Sequence, residues 1–576
     1  MTLPSSAGPT RADTRVDALE KLFGDAGDPG NPVGGGAVLA ADERGEMLAE
    51  GERLLDGFEL NTHFVPERLG GRFHDLEGLI DVMRAVYRRD PCLGLGYGAG
   101  SFMAAVNVWT SGSHDQQTRF AERLLTGDRA ACAYHELAHG NDLSRAGLTA
   151  LPGPDGLLRL NGRKEVVANL DRAGVMVLFA RTDPAHGGRS HSQLVLDADT
   201  LPARAVRRLG RFRTVGMRGV RLAGVEFVDC PVPAGSVLGL PGLGVETAMR
   251  SFQLTRIALP GMTVGLLDTA LRTALRGVHA RRLYGGAVAD LPLSRSILAE
   301  TFADLLLADA FTTVAARAAH LAPGATAVYA AAVKSLVPKI LMAAVYRLSE
   351  LLGSQFYLRS GERSLFQKLL RDVQPSAFGH ASRVSCELSL LPQLPITARR
   401  GWHGADTPPL PAETFHPGQP LPGLRLAELA ITSRGRDPLS RSLIEGAAAA
   451  RDDREIAAAA YAHLADLAAL ARGAAELPPG LLGPAAPPHA FALARQWTGV
   501  LAASACLGLW WHRPSGTAGF AADPAWTLAA LHRLRAHLGR HHDPLPASLT
   551  EPLYAELTGR FTAGLTFDLS RRPTGA

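Results

Sequence analysis

Residues Ala131 to Asp142 read Ala-Cys-Ala-Tyr-His-Glu-Leu-Ala-His-Gly-Asn-Asp. A run of small, alternating residues enters a turn that ends in Gly140-Asn141-Asp142. On a strand, Cys132 and Tyr134 face one side while Ala133 and His135 face the other, because successive side chains alternate. Glycine and Asx residues then supply the turn.

The stretch resembles the strand and loop that open the middle β-domain of the acyl-CoA dehydrogenase and acyl-CoA oxidase superfamily. The dehydrogenase pattern is Thr-Glu-x-x-x-Gly-Ser-Asp, matched by Glu136, Gly140 and Asp142; the oxidase pattern is Thr-Glu-Leu-Gly-His-Gly-Ser, matched by Glu136-Leu137, His139 and Gly140. His135 stands where that family has Thr, and Asn141 where it has Ser. Four further places follow the family's order: Val65-Pro66 with Gly70-Gly71, Gly216-Met217-Arg218-Gly219 running on to Pro233, Arg281 to Gly285, and Arg371-Asp372-Val373. The resemblance spans residues 45–395. It implies an α+β fold of N-terminal helical domain, middle β-barrel or sandwich domain and C-terminal four-helix bundle, here with an extra helical domain.

Bulk properties agree with a soluble globular chain. The 576 residues exceed one core and call for several domains. Charged residues are 20% and hydrophobic ones 46%. The net charge of +5 comes from scattered arginines without a dense basic block, which argues against nucleic acid. It suits an anionic partner such as acyl-CoA or a carrier-protein arm. The five cysteines lie outside metal-ligand spacing, so no metal and no disulfide framework is expected. No signal pattern and no apolar run of ~18 residues is evident, so the expectation is a cytoplasmic protein with no membrane span.

In chain order, the Gly/Pro-rich residues 1–36 read as a mobile leader with one helix over Asp17–Phe23. Residues 37–130 read as a helical domain, with Gly78–Arg89 apolar at helical spacing and Asp75 as its N-cap. Residues 131–238 read as β-structure, with an Asn161-Gly162 hairpin turn. Residues 239–395 read as a bundle with helices Val245–Leu254, Arg256–Leu283, Pro292–His320 and Ala325–Leu352. A linker at 396–422 precedes an Ala-rich helical domain at 423–576, formed by the stretches Leu424–Ala471, Pro488–Trp511 and Ala525–Leu538.

The resemblance implies FAD between β-domain and bundle, partly bound across an interface of a homodimer or homotetramer, and dehydrogenation of an acyl thioester. It places Cys132, Tyr134, His135, Asn141, Val167, Ala168, Arg281, Tyr284 and Gly353 at the cofactor, with Tyr284 packed as the family's Phe. It places Thr255 and Phe378 in the substrate pocket. Both of the family's base positions lack a carboxylate. Phe378 stands at one, and no acid occurs between Asp372 and Glu387; Thr255, beside Arg256, stands at the other. The ring-packing Trp and hydroxyl donor of the family are replaced within Val166-Val167-Ala168-Asn169. His380, His135 and Arg256 are therefore the candidate catalytic groups, since an imidazole near its unperturbed pKa of ~6.5 suits proton transfer.

Three functions follow. The first is flavin-dependent oxidation of an acyl thioester or β-keto acid in specialised metabolism, by oxidative decarboxylation or monooxygenation of the epoxyketone type. Loss of CO₂ supplies an enolate without a base. The second is ordinary acyl-CoA dehydrogenation or oxidation with a relocated base. The third is a non-catalytic subunit that binds a carrier or partner.

Overall fold

The computed structural model describes residues 11–575 apart from 141, 186, 362, 403–406 and 450–452. The chain opens with helices α1 (Arg11–Phe23), α2 (Gly35–Arg44), α3 (Ala49–Gly57), α4 (Leu76–Arg89), α5 (Gly100–Ser111) and α6 (His114–Leu125). Asp75 caps α4 by accepting from Gly78 N at 2.7 Å. Helix α1 is longer than expected, and its Val16, Leu19 and Phe23 are buried in the common core. A mobile leader over 1–36 is thus corrected for residues 11–36, because that apolar stripe packs on α4.

Seven strands follow: β1 (Ala130–Ala133), β2 (Thr149–Pro152), β3 (Leu158–Ala168), β4 (Val175–Arg181), β5 (His191–Asp197), β6 (Val206–Leu209) and β7 (Leu222–Val232). They form one sheet in the order β1-β4-β2-β3-β7-β6, with β5 added against β4 and β1 parallel to β4. Ala131 and Ala133 face the sheet's own core, whereas Cys132 and Tyr134 join the helical core, as the alternation requires. The hairpin expected at Asn161-Gly162 does not form. β3 runs through it with a bulge between Leu160 and Gly162, and Asn161 Oδ1 accepts from Asp229 N across the sheet at 2.8 Å.

Helix α7 (Gly244–Ala280) is continuous through Pro260, where two helices were expected. A small ribbon of β8 (Arg282–Leu283) and β9 (Gly286–Ala287) leads to α8 (Pro292–Leu321) and α9 (Thr326–Leu352). The segment Pro323–Tyr357, which contains α9, is long and apolar enough to cross a membrane, at mean hydropathy 1.6. Of its apolar 18-residue window 83% is buried inside the bundle, which explains its composition, and Lys334 and Lys339 interrupt the run. Short helices α10 (Ser364–Asp372), α11 (Pro375–Phe378), α12 (Arg383–Leu390) and α13 (Leu394–Arg400) close the bundle.

The C-terminal helices are α14 (Pro438–Ala449), α15 (Arg454–Ala475), α16 (Pro488–Trp511), α17 (Pro524–His537) and α18 (Ala547–Thr562). They share one apolar core with α7, α8 and α9 and pack directly on the bundle as extra C-terminal helices. Within the stretch Leu424–Ala471 the first α-helix begins at Pro438; before it the chain is an extended strap with short turns.

Buried charges hold that strap. Arg317 donates from Nε and Nη2 to Glu413 O at 3.0 and 2.8 Å, and from Nη1 to Gln419 O at 3.1 Å, while pairing with Glu77. Glu77 Oε1 accepts from Gly418 N at 3.0 Å. Burial pushes the Glu77 carboxyl up to about 7 although Arg317 pulls the other way. His320 accepts from Leu76 N on Nε2 at 3.1 Å and donates from Nδ1 to Pro422 O at 2.7 Å, which fixes it as the neutral Nδ1–H tautomer. Changing Arg317 to Met strands Glu77 in the interior. The expected loss is about 3–5 kcal/mol of stability in urea titration, with protease cleavage appearing first between residues 401 and 437. An unchanged midpoint would mean that apolar packing alone holds the strap.

Candidate functional site

The β-domain is fastened to the bundle by a buried charge knot. Lys368 on α10 donates to Asp90 Oδ1 at 2.7 Å and Asp372 Oδ2 at 2.6 Å. The other Asp372 oxygen accepts from Met217 N. Arg371 donates to Asp42 at 2.8 Å and to Val215 O at 2.8 Å. Burial opposes the Lys368 charge, but Asp372 and Asp90 outweigh it and hold the ammonium well above the usual range. Asp90, Cys92 and Asp372 approach closely enough to hold a metal ion, yet the Lys368 ammonium bonds both carboxylates. Gly216 lies so near the Arg371 carbonyl that a Cβ would come within 2.5 Å of the oxygen. Thus the two motifs Gly216–Gly219 and Arg371-Asp372 act as one joint.

At the end of β1, Glu136 accepts from Gly147 N at 2.7 Å, Leu148 N at 3.1 Å and the buried Lys164 ammonium at 2.7 Å. Burial alone would raise its carboxyl, but Lys164 and the two amides hold it below the usual range. Glu136 therefore orders its loop. His135 Nδ1 lies 3.0 Å from Glu165 O, and Glu165 N donates back to His135 O at 3.0 Å. A carbonyl only accepts, so Nδ1 carries a proton.

Between β1 and α7 the rings pack into a column. Tyr134 lies 5.1 Å from Phe179 on one side and 5.1 Å from Phe252 on the other, and Phe252 meets His380 at 3.9 Å between centroids. The Tyr134 hydroxyl donates to Asn107 Oδ1 at 3.0 Å, which also receives Ser251 Oγ at 2.7 Å. One turn along α7, buried Thr255 donates its hydroxyl to Phe252 O at 3.1 Å. Arg256 follows, its Nε buried without a partner, as is His380 Nε2. Lys334 on α9 donates to Ser376 O at 2.7 Å and Gly379 O at 2.8 Å, holding the segment where the family's base is expected. Burial pulls the Lys334 ammonium down to about 8. Burial, then Lys334 and Arg256, push the His380 imidazole well below its ordinary value. The expectation of a histidine poised near neutrality is corrected at His380: it is held neutral and is a weak base.

A second station lies at the far end of α7. Arg281 follows the helix, about 37 Å from Arg256 at 1.5 Å per residue. It has no acidic partner among the described residues, and a Cβ on Gly353 would come within 3.3 Å of its Nη1. Tyr284, at φ 52°, is 93% exposed, which corrects the expected packing.

Sequence-derived candidates divide accordingly. Tyr134, Thr255, Arg256 and His380 come together around Phe252, with Cys132 on the same face of β1. Val167 is buried in the sheet's core and Ala168 packs toward Cys92, Met217 and Val220, so Val167 offers no side chain to a ring. Phe378 is 59% exposed and stands outside the ring column, a correction to its place in a pocket. Asn141 lies outside the described residues. Lys334, Phe252 and Asn107 went unnoticed in the sequence. The lysines Lys334 and Lys339 amid the apolar run of α9 were the available signal, since buried lysines are rare without a task.

Residues 242–380 match the family model for the acyl-CoA dehydrogenase C-terminal domain. The chain is 27% identical over 249 residues to the short-chain specific acyl-CoA dehydrogenase of Homo sapiens mitochondria, covering 43% of this chain and 60% of that protein. It thus spans less than two thirds of such relatives. In fold it is similar to an acyl-CoA dehydrogenase complexed with FAD from Bacillus anthracis, at TM-score 0.69 and 16% identity over 96% of this chain and 95% of that one. The prolyl acyl carrier protein oxidase AnaB superposes at TM-score 0.59 and 18% identity, over 66% of this chain and 98% of its own.

A depressed histidine gives stability that is present above its unfolded pKa of about 6.5 and is lost as pH falls below it, because the unfolded chain then binds the extra proton. Between pH 6.5 and 5 the His380 contribution to that loss is up to about 2 kcal/mol. His380→Gln is therefore expected to flatten the pH dependence of the urea midpoint by that amount; an unaltered slope would place the imidazole in an ordinary environment.

Proposed function

We propose that the chain is a member of the acyl-CoA dehydrogenase superfamily and a flavin-dependent oxidoreductase for an acyl thioester or β-keto acid whose α-carbon is activated by loss of CO₂. One observation carries this. Neither base position holds a carboxylate, and the groups gathered there are cationic or neutral: Arg256, Lys334 and a His380 held uncharged.

The residues present fit FAD. Arg281, without an acidic partner and beside bare Gly353, suits a pyrophosphate, and the β1–β3 edge at His135 and Ala168 suits the ring system. The two stations are further apart along α7 than one extended dinucleotide reaches, so Arg281 and Tyr284 would serve a second copy in a homodimer or homotetramer. Bound there, the flavin supplies the acceptor for the two electrons of the oxidation.

The chain's own groups supply the rest. Arg256 would receive the substrate carboxylate at its unpartnered Nε, and Lys334 has one N–H beyond the two it gives to Ser376 O and Gly379 O. When CO₂ leaves, the C–C bonding pair stays on the substrate as an enolate, so no base is called for. The same two cations then face the enolate oxygen. Removing such a preorganised donor costs on the order of 10²–10³ in rate.

The second reading is ordinary acyl-CoA dehydrogenation with His135 as base, favoured by the Glu165 carbonyl that holds its Nδ1 and so orients the ring. The test is to load the protein with FAD and mix it anaerobically with an acyl thioester that carries an α-carboxylate, with a free β-keto acid, and with saturated acyl-CoAs. Flavin bleaching together with released CO₂, about 10²-fold slower in Arg256→Gln, is the expected result. Bleaching by saturated acyl-CoAs, abolished in His135→Ala, would replace it with dehydrogenation. Label from ¹⁸O₂ in an aerobic product assigns the oxygenating version. A colourless protein that ignores FAD would leave a partner-binding role.

A further inference from the structure

A groove of about 1070 Å³ runs between the bundle and the strap. Its walls are stiff, with Pro323 at the α8–α9 turn and Pro408, Pro409 and Pro411 on the strap. Arg250 on α7 donates to Leu429 O and Ala427 O at 2.9 Å each, and Gln253 donates to Ala430 O at 2.8 Å, so the turn of α7 that bears Phe252 also holds the groove's floor.

The acids of the groove already have cations: Glu428 has Arg425 at 3.0 Å, and Glu246 has Arg250 at 3.9 Å. Two further arginines, Arg434 and Arg436, line the groove and have no acidic partner among the described residues. The guanidinium of Arg436 lies over Gly324, where a Cβ would come within 3.3 Å of Nη2.

The loop that presents them is rigidly built. Asp437, fully buried, accepts on one oxygen from the indole N–H groups of Trp402 and Trp497, each at 2.8 Å, and from Ser440 Oγ at 2.6 Å. Its other oxygen caps α14 at Ser440 N. Ser433 N donates to Gln393 Oε1 at 2.8 Å. Gly435 O lies so close to Gly401 that a Cβ there would be 2.1 Å away. Arg434 is held at φ 54° and Gly435 at φ 81°, a backbone that a side chain adopts at a cost and that persists only where the surroundings fix it. Buried groups thus hold an exposed di-arginine turn in one shape, which is the arrangement that binds a planar or tetrahedral oxyanion with little loss of freedom.

We propose that the Arg434-Gly435-Arg436 turn and its groove bind the phosphate of a small phosphate ester. Its link to catalysis rests on the function proposed above, in which a thioester substrate carried on a phosphorylated thiol would enter along the α7 face; the binding itself does not. Isothermal titration of the full-length protein with adenosine 3′,5′-bisphosphate and with inorganic phosphate tests it. The comparison is between wild type, Arg434→Gln/Arg436→Gln, and Arg454→Gln/Arg472→Gln, which removes the same charge from α15. Saturable binding weakened at least tenfold in the first double variant and unchanged in the second is expected. A bisphosphate preference assigns the site to an ester, and equal affinity to free phosphate. Absence of saturable binding, or equal weakening in both variants, overturns the proposal. The visible spectrum of the same FAD-treated samples reports separately on the flavin.

Discussion

The Lys368 ammonium, with Asp90 and Asp372 on either side, is the constraint on which the rest of the fold depends. Asp90 closes α4 of the N-terminal helices, Asp372 ends α10 of the bundle, and the Met217 amide belongs to the loop of the β-domain. One buried cluster therefore joins all three parts. A lysine out of water is tolerated only because two carboxylates and a backbone amide satisfy the group together, and removal of any member leaves a charge stranded. Gly216 is bound into the same joint, because the loop must lie directly on the Arg371 carbonyl.

Across that joint the chain assembles a site of unusual electrical character. Arg256 and Lys334 face an imidazole kept neutral, and no carboxylate stands at the expected base positions. Such a pocket is suited to an anion that enters or develops there, and poorly suited to removal of a proton from carbon. Lys334 also fixes the Ser376–Gly379 turn through two carbonyls, so the cation that tunes the site also shapes it. The ring column from Tyr134 through Phe252 to His380 ties the end of β1 to the same turn of α7.

The C-terminal helices share the bundle's core, and the strap that leads to them is clamped by Arg317, Glu77 and His320 rather than by apolar contact alone. The strap thereby becomes a wall of the site's surroundings, with Arg250 and Gln253 binding its carbonyls.

The sequence by itself determined the broad order of helices, sheet and bundle, because periodicity and capping are local. Asp75 before an apolar stripe, the alternation around Cys132 and Tyr134, and the motif spacing from Gly140 to Arg371 were all readable. Where local signals failed, a distant partner overruled them. Asn161-Gly162 became a bulge because Asp229 bonds across the sheet, α1 gained order from the apolar face of α4, and residues after Leu424 stayed extended because Arg250 and Gln253 on α7 take up their carbonyls. Only the tertiary structure decided the chemistry. His380 loses its basicity through burial beside two cations, Lys334 acquires its task from a turn 42 positions away, and Tyr284 stands out in solvent. Charge and desolvation depend on everything packed around a group, which no linear pattern encodes.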